Sequence, residues 1–69
     1  MERNFQLNWQ EIVEEAVKRR KEQRMTQEYL ALLARVSKPT LNAFEQGKDT
    51  LTLKSVFKIL KALGMEVER

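Results

Sequence analysis

The feature that most narrows what this chain can be is the stretch MTQEYLALLARVSKPTLNAFEQGK, Met25 to Lys48, in which two short apolar-periodic segments flank a break of three or four residues. Helices this short are marginal on their own in water. Two of them joined so tightly form only by packing against each other and against flanking helices, which predicts an all-α fold built around the break. Sixty-nine residues make one domain with a marginal core, and small chains of this kind generally need a staple. Without Cys the staple is neither a disulfide nor a thiolate metal site, and without His the commonest general base and zinc ligand is missing.

Four helices can be placed from their ends. Asn8 is a natural N-cap with Glu11 three residues on, a capping-box pattern, and Leu7 is positioned to staple onto Ile12. Ile12, Val13, Ala16, Val17 and the aliphatic stem of Arg20 then share one face, and the helix should end near Gln23. Thr26 caps the second helix, whose buried side is read as Leu30, Ala31, Leu33 and Ala34. Ser37 caps the third, where Pro39 is tolerated in the first turn, Leu41 and Phe44 face inward, and Gly47 with Lys48 and Asp49 ends the helix. Thr52 caps the fourth, with a stripe of Leu53, Val56, Ile59, Leu60 and Leu63, and Gly64 stands where a left-handed terminating residue belongs.

Charge is unevenly distributed. Arg3 against Glu2, Glu11, Glu14 and Glu15 gives −3 over residues 1–17, which leaves +6 for the other 52 out of +3 overall. The densest basic run is Lys18, Arg19, Arg20, Lys21 and Arg24. Such a run is ordinarily a solvated helix face, and its position relative to Met25–Lys48 decides whether it is more. No apolar run approaches the roughly 20 residues of a membrane span, and no secretory signal is read at the N-terminus, so a cytoplasmic protein with no membrane partner is expected.

Thr26-Gln27, Leu30-Ala31, Val36-Ser37, Leu41, and Glu45 with Gly47 resemble the helix-turn-helix of the Cro and lambda-repressor family, also called the XRE family. With Arg20 before them and KILKALG at 58–64 after them, the resemblance covers roughly residues 12–64. It implies a compact four- to five-helix lambda-repressor-like domain spanning residues 1–69, with the motif at 26–46 and double-stranded DNA as partner. The wedge of Leu30, Val36, Leu41 and Phe44, closed at the crossing by the small Ala31, would project the third helix toward a major groove about 12 Å wide.

The periodicity leaves Lys38, Pro39, Asn42, Ala43 and Gln46 on the outer face of that helix. The resemblance implies base contacts from its first residues and from those one turn later. Lys38 suits guanine acceptors, Asn42 suits adenine and Ala43 suits a thymine methyl, whereas Pro39 replaces the polar reader usual in the family. Phosphate contacts are expected from Gln27, Ser37, Thr40, and the Gly47-Lys48 backbone with the Lys48 ammonium. The resemblance also implies an ion pair between Arg20 and Glu45. Arg35 stands where the family commonly has Gly, so the turn either accepts a left-handed residue or is built differently. Tyr29, Leu32 and Leu33 occupy positions usually polar in the family; at least Tyr29 and Leu32 are expected to stay exposed, either as the incidental apolar surface of a small domain or as a partner-binding surface.

One recognition helix reads few bases, so a homodimer with half-sites about one DNA turn apart is expected. Residues 65–69 and Phe5-Gln6-Leu7-Asn8-Trp9 alternate apolar and polar residues and read as short strands. A ribbon of the C-terminal strands across the dimer axis would bury Met65, Val67, Phe57 and Trp9. The FKILKALG helix followed by a short strand looks like antitoxins of the HipB type, dimeric autorepressors that also hold a toxin kinase. The competing expectation is a protein-interaction module that keeps the fold without reading DNA. An enzyme fits poorly, and neither a metal nor a cofactor is expected.

Overall fold

A computed structural model describes residues 8–65 and contains α1 (Trp9–Glu22), α2 (Gln27–Ala34), α3 (Lys38–Glu45) and α4 (Leu53–Ala62). There is no strand among the described residues, and no helix there is long and apolar enough to cross a membrane. The proposed Leu7 staple, Val67 and residues 66–69 of the C-terminal strand lie outside the described residues. Asn8 and Trp9, which alternation assigned to a strand, are the N-cap and first residue of α1. The capping pattern prevails there because the Asn8 side chain satisfies the Glu11 N–H at 3.3 Å.

The other three helices start on the expected side chains. Thr26 accepts from the Tyr29 N–H, Ser37 from the Thr40 N–H and Thr52 from the Ser55 N–H, at 3.0 to 3.1 Å. Each cap is worth about 1 kcal/mol. All four helices also end alike. A left-handed residue donates its N–H to the carbonyl three residues back, and the next N–H reaches the carbonyl five back, the Schellman arrangement. The left-handed residues are Arg24, Arg35, Gly47 and Gly64, and the second bonds run from Met25, Val36, Lys48 and Met65 to Arg20, Ala31, Ala43 and Leu60 at 2.9 to 3.1 Å. The turn between α2 and α3 therefore accepts the left-handed residue, at Arg35, with φ 63°.

One core joins the helices. Val13 and Ala16 of α1, Leu30, Ala31 and Ala34 of α2, Leu41 and Phe44 of α3, and Val56, Ile59 and Leu60 of α4 are buried together with Met25 and Leu63. Two expected core residues are not in it. Leu33 is 48% exposed, because at about 100° per residue it lies roughly 100° from the centre of the stripe formed by Leu30, Ala31 and Ala34. Leu53 is 66% exposed. It is the first residue of α4, and its side chain leans back toward the N-terminal end of the helix. Packing is between α2 and α4, α2 and α3, α1 and α3, and α3 and α4.

Arg24 and Arg35 adopt a conformation that costs an L-residue about 1–2 kcal/mol, against the roughly 0.5–1 kcal/mol that Gly loses in unfolded-chain freedom. Arg35→Gly and Arg24→Gly are each expected to stabilise the fold by about 0.5–1 kcal/mol, a rise of roughly 2–8 °C in Tm. Thermal unfolding followed by circular dichroism checks this, and a lower Tm would mean that the arginine side chain itself holds the turn.

Candidate nucleic-acid interface

The third helix is held at its C-terminal end. Arg20 of α1 makes a forked contact with Glu45, Nε to Oε2 at 2.7 Å and Nη2 to Oε1 at 3.2 Å, while its Nη1 donates to the Met25 carbonyl at 2.8 Å. Gln27 at the start of α2 adds a fourth bond, Nε2 to Glu45 Oε1 at 2.8 Å. Arg20 and Glu45 are only 13% and 10% exposed, so the group joins α1, α2 and α3 through largely desolvated, charge-assisted bonds. At the other end of α1, Trp9 packs edge-on against Phe44 with ring centroids 5.6 Å apart, and its Nε1 donates to the Gly47 carbonyl at 3.1 Å. Both ends of α1 thus grip the last turn of α3, while Lys38 and Pro39 in its first turn are exposed.

The outer face of α3 is as its periodicity requires: Lys38, Pro39, Asn42 and Gln46 are exposed, Ala43 is half-buried, and Leu41 and Phe44 point into the core. Lys38 does not stand alone. Its Nζ donates to Glu28 Oε2 of α2 at 2.8 Å, across the turn. That hydrogen bond, then a backbone bond and the lysine charge, holds the Glu28 carboxyl below its ordinary value. The contact is therefore present above the usual carboxylate range and is lost as pH falls through the lowered value; on so exposed a pair its effect on stability is small.

The residues expected at phosphates are differently occupied. One N–H of the Gln27 side-chain amide is engaged with Glu45, leaving its other N–H, its carbonyl oxygen and its backbone N–H at the opening of α2. Ser37 Oγ accepts from the Thr40 N–H and donates to Thr40 Oγ1 at 2.8 Å, so the Thr40 hydroxyl proton is the one available. The N–H groups of Gly47 and Lys48 are both taken by the carbonyls of Phe44 and Ala43; the exposed Lys48 ammonium is what this turn offers. In the basic run Arg20 is a structural residue, Arg19 pairs with Glu15 at 2.9 Å, and Lys18, Lys21 and Arg24 are exposed. Lys18 and Lys21 border an open groove beside Glu45, Gln46 and Gly47.

Of the residues assigned to a dimer contact, Phe57 is exposed on α4 one turn from Leu53, and Met65 is partly buried against the core. Trp9 is bonded within its own subunit. Sequence reasoning missed the contacts of Gln27 with Glu45, of Glu28 with Lys38, of Trp9 with Phe44 and Gly47, of Arg20 with the Met25 carbonyl, and of Gln23 Nε2 with the Leu63 carbonyl at 3.2 Å. Gln27 could have been found, because it falls on the same side of α2 as Leu30, Ala31 and Ala34. Glu28 carries no such signal. Arg20→Met is expected to cost about 2–4 kcal/mol by chemical denaturation, approaching the range for breaking a buried pair, while Arg19→Met should stay within about 0.5 kcal/mol of the parent. Equal effects would remove the argument that the Arg20 contact organises the fold.

No curated protein matches the chain. A family model described as helix-turn-helix matches residues 18–69, a span that contains Arg20, α2, the turn at Arg35, α3 and α4. With caps, wedge and Arg20–Glu45 contact in register, the chain belongs to the helix-turn-helix family, of the Cro and lambda-repressor (XRE) type.

Proposed function

We infer that the protein is a sequence-specific transcriptional repressor that binds double-stranded DNA as a homodimer, with α3 of each subunit in successive major grooves of a palindromic operator. The observation that carries this reading is the grip of α1 on the last turn of α3, which fixes the helix while Lys38, Pro39 and Asn42 stay exposed and Ala43 half-buried on its outer face. Lys38 and Asn42 supply hydrogen bonds to base edges, and Pro39 and Ala43 supply apolar contact. Gln27, Ser37, Thr40, Gly47 and Lys48 border the backbone contacts, of which the Thr40 hydroxyl, the N–H groups opening α2 and α3, and the Lys48 ammonium carry the donors. The HipB-like C-terminal part extends the reading to the autoregulatory antitoxin of a toxin kinase, acting in the cytoplasm.

A second reading, a surface for a protein partner such as that kinase, is favoured by Tyr29, Leu32 and Leu33. They are exposed at i, i+3 and i+4 on the side of α2 away from the core, Leu32 by 75%. This face does not overlap the outer side of α3, so the two readings are compatible.

Selection of bound duplexes from a randomised library, with titration of the winners at several salt concentrations, tests the first reading. An inverted repeat with half-sites about 10 bp apart is the expected result; weak binding without preference would leave the α2 face as the functional one. On the selected operator, Lys38→Ala or Asn42→Ala should cost about 1–3 kcal/mol and relax preference at one position. Lys48→Ala should weaken all sequences alike and lower the salt slope by about 0.9. For the dimer, assigned to Phe57, Met65 and the segment through Val67, deletion of residues 65–69 should shift sedimentation toward monomer, and an unchanged dimer would count against that assignment.

A further inference from the structure

Glu28 is the one carboxylate that contacts an expected base-reading side chain among the described residues. Its partner Lys38 is the first residue of α3, where the positive end of the helix dipole disfavours a cation. Pro39 follows, so that turn presents one N–H fewer to an anion. A free ammonium on a four-carbon stem at this edge would be drawn to the nearest phosphate, a contact that carries no sequence information. The geometry supplies a restraint. Glu28, second residue of α2, holds Nζ at 2.8 Å from Oε2. An ammonium has three N–H groups, so the paired Lys38 keeps two for a ligand.

Resting on the DNA-binding reading above, we propose that Glu28 is a specificity-determining positioning residue, which through its contact with Lys38 reserves that ammonium for base acceptors and withholds it from phosphate. Sequence preference therefore arises in part from weakened binding to wrong DNA, and no contact between Glu28 and a base is needed.

The test compares the full chain with Glu28→Gln, Lys38→Ala and the double variant on the selected operator and on a scrambled duplex, across a salt series. Glu28→Gln is expected to bind scrambled DNA more tightly, to lower the operator-to-scrambled affinity ratio on the order of two- to five-fold, the scale of an exposed ion pair, and to steepen the salt slope on scrambled DNA by about 0.9, one added phosphate contact. In the Lys38→Ala background the same substitution should leave the ratio unchanged. An equal loss in both backgrounds would show that Glu28 acts by its own charge and not through Lys38, and an unchanged ratio in the parent would remove it as a determinant; either overturns the proposal. Thermal unfolding of Glu28→Gln should match the parent, because both side chains are exposed. If the unsubstituted chain itself shows no preference between duplexes, the DNA-binding reading falls and this inference with it, an outcome distinct from a discriminating parent with an indifferent Glu28→Gln.

Discussion

The contact of Arg20 with Glu45 is the interaction on which the remainder of the architecture depends. Three of the four helices meet at it, and Gln27 and the Met25 carbonyl complete its hydrogen bonding. A pair this desolvated is a poor source of stability compared with apolar side chains of equal volume, but removing either partner alone strands a charge. Its effect is therefore directional. The forked contact at one end of α1, with Trp9 on Phe44 and Gly47 at the other, restrains α3 against pivoting. The base contacts proposed for Lys38 and Asn42 would need that stiffness, since displacement of an ångström defeats a bidentate hydrogen bond.

Much of this fold was legible in the sequence, for reasons that differ by element. Asn8, Thr26, Ser37 and Thr52 mark helix starts because a short polar side chain serves the orphan N–H groups wherever the chain enters a helix, irrespective of tertiary context. Leu41 and Phe44, or Val56, Ile59, Leu60 and Leu63, could be assigned to the core because they fall at the centre of their stripes. Leu33 and Leu53 could not, since one lies at a stripe margin and the other at a helix end, where exposure depends on what neighbouring helices cover. The conflict at Asn8-Trp9 arose because a two-residue alternation and a capping signal overlap, and only the second brings a hydrogen bond with it.

The site was less legible than the fold. Periodicity identified the outer face of α3 but said nothing of what its polar groups already bind. Gln27, Ser37, Thr40, Gly47 and Lys48 have the chemistry of phosphate ligands, yet several of their donors are engaged in caps or in the contact with Glu45. A residue-type argument counts donors, whereas the structure shows which remain. The pairing of Glu28 with Lys38 joins two helices over a gap of ten residues, and no local pattern announces it.

The matched ends of the helices carry a kinetic consequence. With a side-chain cap at each start and a Schellman turn at each finish, all four helices encode their own boundaries within a few residues. Short helices joined by brief connections keep most contacts local in sequence, as in the low-contact-order helical domains that fold in microseconds to milliseconds. For the homodimer proposed above, encounter of two folded chains at low concentration would then be the slow step in producing the active species, with expression level rather than folding governing when it appears.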